Sequence, residues 1–346
     1  MKYLIVLCLS FGTNALFADS IVSTFNQTYL SLAPEKEYDF IVSGHFHGSG
    51  TNKTGYPINS ILGNTKWINE SGAKYLVCLG DLFLDVSNDI PFYKSSFFEQ
   101  LNIPLFNTVG NHDLTGNIYQ ENFGATYFSF RKNNEIHLFL DTELNDGSIK
   151  GEQLALLEKV KTDSKAGGIK ALFIYSHRTV WAKNYPELDL LFKFNTQSMF
   201  GNNFSEVVYP ILSEISAQIP IYWFSGSIGE APASFFYHED KTKNIKYIGT
   251  AIRGYKRDAI LRVNINQQSE PTFILKSLTG QKLNDLESYD LKFWSEGKVE
   301  ESFNYRLIPL YIKGVVFSRA FWYGITISLV FFFLFKFWKR RKVNRV

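Results

Sequence analysis

The sequence predicts an α/β domain whose sheet is covered on both faces, followed by a smaller stalk and one apolar helix. Three observations carry this. Short, mostly apolar runs such as Tyr38–Ser43 alternate with helical stretches, and near-continuous apolar strands indicate a sheet buried on both sides. The composition, 45% hydrophobic and 20% charged, excludes a disordered or collagen-like chain. Aromatic residues make up 16% of the chain, enough for a well-filled core or an extensive interface. The 346 residues allow one large domain or two small ones.

The elements follow in order. Tyr38 to Ser43 reads as a buried strand, Asn59 to Asn69 as a helix, and Tyr75 to Leu79 as a second strand. Tyr93 to Leu101 looks helical and Pro104 to Val109 is a third strand. Tyr127 to Phe130 and Ile136 to Leu140 are strands, the latter ending at Asp141. Glu152 to Lys161 is an amphipathic helix, with Leu154, Leu157 and Val160 at three-residue spacing. Lys170 to Tyr175 and Ile221 to Phe224 are strands that run into loops, and Lys246 to Thr250 and Ala259 to Asn266 are late strands. From Gln267 the pattern weakens and Glu296 to Asn304 is polar, so 19–266 is expected to be the domain and 267–316 the stalk.

The two ends read differently. Residues 1–18 carry Lys2, an apolar run from Tyr3 to Phe11 and then small and polar residues. This is a secretory signal pattern with cleavage after Ala18; a buried N-terminal strand is the alternative. Ala320 to Phe335 contains no charge, and Phe337 and Trp338 extend the run past Lys336. Residues 317–338 therefore read as a membrane-spanning helix, with Trp322, Tyr323 and Trp338 suited to its interfaces. The tail 339–346 is basic without an acid, and the positive-inside rule puts it in the cytoplasm. Setting aside Lys2 and the six basic residues from Lys336 onward leaves 29 basic residues against 33 acidic ones. The exported part is thus mildly acidic and no nucleic-acid partner is indicated. Cys8 lies in the signal, which leaves Cys78 alone and no intrachain disulfide. Sequons stand at Asn26, Asn52, Asn69 and Asn203.

Chemistry-bearing residues gather where strands end. The first strand runs into Gly44-His45-Phe46-His47-Gly48, the second into Gly80-Asp81, the third into Gly110-Asn111-His112-Asp113, and a later one into Ser176-His177. Four of the six histidines lie in these loops. In an α/β fold such loops converge on one edge of the sheet. Alternate histidines on an extended segment point the same way and can share one ion. His137 sits on a strand and reads as a packing residue. Asp85, four residues after Asp81, reads as a turn residue or helix cap.

A strand into Gly-Asp, another into Gly-Asn-His-Asp and a third ending in His together resemble the calcineurin-like metallophosphoesterases. Ile103-Pro104, the strand end Leu140-Asp141 and the helix start Gly151-Glu152-Gln153-Leu154 fit as well, and the resemblance spans Glu37 to Ile265. It implies a four-layer α/β/β/α metallophosphoesterase sandwich. It implies that Asp81 bridges two divalent ions, that Asn111 and His177 bind one of them, and that His47, with His45 beside it, binds the other. His112 would face the substrate phosphate as proton donor, with Asp113 orienting its ring. Two such ions clamp a phosphate and activate the attacking water.

Two departures stand out. His45 occupies the position of the family's first aspartate. Gly226-Ser227-Ile228-Gly229 occupies that of the last motif, Gly-His-x-His, so both of those histidines are absent. The ligand set becomes imidazole-rich, which favours Zn or Fe over Mg, with Mn also admissible, at one or two ions per chain. His238 and Glu230 lie close in sequence to the lost motif and are candidate replacements. With the two ends read as above, the resemblance implies a membrane-anchored, extracytoplasmic metal-dependent phosphoesterase acting on a phosphorylated small molecule, lipid or polymer. The alternative is a non-catalytic member that binds a phosphate-bearing ligand or a partner protein.

Overall fold

The computed structural model describes residues 20–192, 202–229, 234–296, 316 and 319–343. The chain divides into two units, Met1–Val299 and Glu300–Val346.

The first unit is built on two mixed sheets. Strands β1 (Ser20–Val22) and β2 (Tyr29–Ser31) form a small hairpin apart from them. β3 (Tyr38–Ser43), β4 (Leu76–Cys78) and β5 (Leu105–Asn107) are parallel neighbours. β6 (Phe128–Lys132), β7 (Glu135–Phe139), β8 (Ala171–Ser176), β9 (Ile221–Ser225), β10 (Phe235–Asp240) and β11 (Ile245–Thr250) form the second sheet, in the order β10-β11-β9-β8-β7-β6. β12 (Ala259–Ile265) and β13 (Pro271–Ser277) complete the first, in the order β13-β12-β3-β4-β5.

The period-2 geometry of strands explains the layering. Phe40, Val42, Tyr75, Val77 and Phe106 point into one core, and Ile41, Leu76, Cys78 and Leu105 into another. The first core lies between the sheets, where Phe40 packs against Phe173, Tyr175 and Phe224 of the opposite sheet. The second core meets the outer helices through Ile61, Ile68, Val86, Tyr93 and Phe97. Helices Gly151–Ala166 and Tyr209–Ser216 pack on the second sheet through Leu157, Val160, Ile211 and Ile215. The result is the expected α/β/β/α sandwich.

Details differ from the sequence reading. The helix expected from Asn59 to Asn69 is two short ones, Asn59–Leu62 and Thr65–Glu70, separated by Gly63 and Asn64. The helix expected from Tyr93 starts earlier, at Val86, where Asp85 caps it by accepting from the Ser87 backbone N–H. The domain also runs past 266. β13 pairs along all of β12, the Tyr289 carbonyl accepts from the Tyr237 N–H at 3.0 Å, and Leu286, Tyr289 and Trp294 are buried in the central core. The expected stalk at 267–316 therefore begins inside the domain. Its remainder from 297 to 315, and the expected signal at 1–18, lie outside the described residues.

In the second unit Arg319–Val343 is a 25-residue helix. Its segment Phe321–Trp338 has a mean hydropathy of 1.6 and none of it is buried. At about 1.5 Å per residue the helix reaches about 37 Å, longer than the ~30 Å hydrocarbon core of a bilayer. It is one candidate membrane span.

Candidate metal centre

The loops leaving β3, β4, β5 and β8 meet at the C-terminal edge of the sandwich. His45 is fixed there by its backbone N–H, which donates to the Gly80 carbonyl at 3.0 Å. Gly80 and Asp81 are both left-handed, with φ of +82° and +51°, and His45 has φ of +56°. A left-handed backbone at a non-glycine residue costs roughly 1–3 kcal/mol and gathers at functional sites. Here it aims an imidazole and a carboxylate inward. Glycines make the room: a β-carbon on Gly110 would overlap Asp81 Oδ1, and one on Gly226 would overlap the Leu79 carbonyl.

The Asp81 carboxylate is the hub. Its Oδ2 lies 3.3 Å from His45 Nδ1, 3.5 Å from His177 Nε2 and 3.8 Å from His47 Nε2. Its Oδ1 accepts the His112 backbone N–H at 3.1 Å. Asp81, His45, His47 and His177 are all buried. Burial works to raise the Asp81 carboxyl, but His177, His45 and His47 outweigh it and hold it well below the usual carboxylate range. Burial pushes His45 and His47 below the ordinary imidazole value, which favours the neutral ring whose lone pairs can bind an ion.

Two of the rings are oriented by backbone carbonyls. His177 Nδ1 donates to the Leu79 carbonyl at 2.8 Å, which leaves Nε2 as the acceptor atom facing Asp81. His112 Nδ1 donates to the Leu84 carbonyl at 2.9 Å and likewise presents Nε2. Two sets of ligand atoms result, each within 4.8 Å: His45, Asp81 and His177, and His47, Asp81 and His112. Asp81 is common to both. His45 and His47 fall in different sets, and His112 stands with His47 and Asp81.

The donor set fits a divalent cation. Both ring nitrogens of His45 and of His47, His177 Nε2, Asp81 Oδ2 and Asn111 Oδ1 are buried without a hydrogen-bond partner. Buried polar atoms are almost always paired. Imidazole orphans gathered on the orphaned Asp81 Oδ2 are the arrangement an ion satisfies, and imidazole with carboxylate suits Zn or Fe.

Asp113 does not orient His112. Its carboxylate accepts from the Phe83 and Gly110 backbone N–H groups at 3.0 and 2.9 Å and from Asn107 Nδ2 at 3.3 Å. The 3-10 turn Asn111–Asp113 points neighbouring side chains apart, so Asp113 braces the loop from behind while Leu84 holds the ring. Burial and the Asp81 charge push the Asp113 carboxyl up to about 8, against the three N–H donors that favour the anion.

The loop Gly226 to Gly229 is tied to the end of β8. The Gly226 and Ser227 N–H groups both donate to the His177 carbonyl. Where Gly229 lacks a side chain, Arg253 fills the space: its Nη2 lies 2.9 Å from where a β-carbon would stand, and its Nε donates to the Ile228 carbonyl at 2.7 Å. Arg253 is absent from the sequence reading; its one signal is its place in the loop after the strand at Ile245–Thr250. His238 packs on Tyr185 at 4.5 Å between ring centres, in β10, and belongs to neither ligand set. Glu230 lies outside the described residues. His137 is fully buried among the hydroxyls of Tyr38, Tyr75 and Tyr175. The Nδ2 atoms of all four sequon asparagines donate to backbone carbonyls.

Comparison with known proteins places the fold. No protein-family profile matches the chain, and no curated protein matches it. Among solved structures it is similar to a purple acid phosphatase from yellow lupin (Lupinus luteus), at 12% identity and a TM-score of 0.50, over 73% of this chain and 53% of that one. The chain thus spans about half the length of that phosphatase. A dimetal phosphatase from Danio rerio aligns at 12% identity and a TM-score of 0.49, over 69% of this chain and 99% of that one. The architecture is similar to metallophosphatase folds.

Proposed function

We propose that the chain is a metal-dependent phosphoesterase, held in a membrane by Arg319–Val343 with its first unit outside and its basic tail in the cytoplasm. The observation that carries this reading is Asp81 Oδ2 lying within 3.8 Å of three imidazole nitrogens that have no hydrogen-bond partner.

Asp81, His45, His47, Asn111 and His177 would hold one or two divalent ions. A bound ion would supply Lewis-acid polarisation of a phosphoryl oxygen and lower the pKa of a water. The chain's own part is positional. His177 and His112 are each locked at Nδ1 by a carbonyl, so both act through Nε2. His112 is only partly buried, and its Nε2 is the atom through which a proton would reach the leaving oxygen. Asp113 keeps the His112 loop in place through Gly110 and Phe83. The substrate is a phosphate mono- or diester of a small molecule, lipid or polymer.

One observation favours a second reading, a non-catalytic member that binds a phosphate-bearing ligand: Gly226 to Gly229 has no histidine and Arg253 fills the gap. Phosphodiester hydrolysis by the metal-loaded full chain separates the two. Turnover abolished by His112→Ala supports the enzyme. Absence of turnover with Zn, Fe and Mn alike leaves the binder.

A further inference from the structure

The loop that carries Arg253 packs against the loop that carries His45. Ile252 N–H donates to the Gly44 carbonyl at 2.9 Å, which draws the loop after β11 against the loop that carries His45. Asp258, itself buried, clamps the turn by accepting from the backbone N–H groups of Arg253, Gly254 and Tyr255 at 3.2, 2.7 and 3.1 Å. The side chain then lies along Gly229, with Nε on the Ile228 carbonyl fixing the plane of the fork.

A guanidinium in this position has a chemical consequence. Asp81 is the one carboxylate in the two ligand sets. With so little negative charge, the centre does not need a fixed cation to balance its own ligands. A phosphate ester does need one. A rigid, always-charged fork matches the geometry of phosphate oxygens, and it forms charge-assisted hydrogen bonds that a neutral side chain cannot.

We propose that Arg253 is a phosphate-binding residue of this site: its guanidinium binds non-bridging oxygens of the phosphate held against the Asp81 centre, in the place where Gly229 leaves no side chain. The proposal rests on the phosphoesterase reading of the same site and names the group that anchors its substrate. It does not require the guanidinium to be otherwise unpaired, since exchange of one acceptor for a phosphate oxygen is sufficient.

The test uses the full chain in detergent, inorganic phosphate as the probe, and titration calorimetry alongside elemental analysis for metal. Arg253→Gln is expected to weaken phosphate binding roughly 10- to 100-fold, with metal content and thermal midpoint unchanged. Gly229→Val approaches from the other side. It keeps the arginine but places a side chain where the guanidinium lies, and weaker phosphate binding is again expected. Either variant binding phosphate as tightly as wild type overturns the proposal, as does a wild type that binds no phosphate. Loss of metal together with phosphate in Arg253→Gln assigns the residue to loop structure and also overturns it. The phosphoesterase reading fails separately. A wild type that binds phosphate through Arg253 but hydrolyses no ester keeps the present proposal and removes that one.

Discussion

Gly80 and His177 are in contact: a β-carbon on Gly80 would fall 2.5 Å from His177 Nδ1, the atom that donates to the Leu79 carbonyl. The left-handed φ of +82° at Gly80 turns the chain into Asp81, and its bare α-carbon lets the imidazole lie flat against the turn. Two requirements thus meet in one residue. Gly80→Ala is expected to displace the His177 ring, lower metal content and cost about 1 kcal/mol or more in stability. Elemental analysis and a thermal melt check both; metal content equal to wild type would show that His177 is not a ligand.

His112 offers a sharper functional test, because two roles are open to its Nε2. As proton donor it should be dispensable for metal binding. His112→Ala is then expected to lower turnover by roughly 10²–10⁴-fold and leave metal content intact. Metal lost in that variant would place His112 among the ligands with His47 and Asp81.

The buried His137 sets a pH dependence of stability. Burial, with Lys132 nearby, pushes its pKa from the ordinary 6.5 down to about 3. Between those values the unfolded chain takes up a proton that the folded protein refuses, so stability rises with pH across the window and is lost as pH falls through it. Within it this one group contributes about 1.4 kcal/mol per pH unit. Urea midpoints measured from pH 6.5 to 4.5 should therefore fall more steeply in wild type than in His137→Gln. Parallel profiles would refute the assignment.

Arg253 also decides what a histidine placed at Gly229 can achieve. Gly229→His would bring a ring onto the guanidinium instead of into an open ligand position. It is expected to leave metal affinity no higher than wild type, as read by chelator competition. A gain of tenfold or more would show that the guanidinium yields easily.

Much of this was legible in the sequence, for a physical reason. Parallel strands covered on both faces need continuous apolar runs, so β3, β4, β8 and β9 announce themselves, and the loops at their ends carry His45, His47, Asp81 and His177. β13 was not legible. It is a half-exposed strand at the edge of its sheet, with Lys276 and Ser277 at its end, and its weak pattern made the domain seem to stop at 266. Arg253 was not legible either, because one arginine after a strand has no spacing to single it out. Nor was the role of Asp113: adjacent residues in a 3-10 turn diverge, and only the hydrogen bonds to Phe83 and Gly110 reveal which way the carboxylate faces.

The central claim is that Asp81 is the shared ligand of a metal centre, and the metal content of the purified full chain, wild type against Asp81→Asn, tests it most directly. Asp81 stands in both ligand sets and supplies their one carboxylate, so the account predicts one or two transition-metal ions per wild-type chain and near-complete loss from both positions in the variant, with the fold retained. A wild type free of metal after growth and loading with Zn, Fe and Mn, or a variant that keeps its full complement, would contradict it.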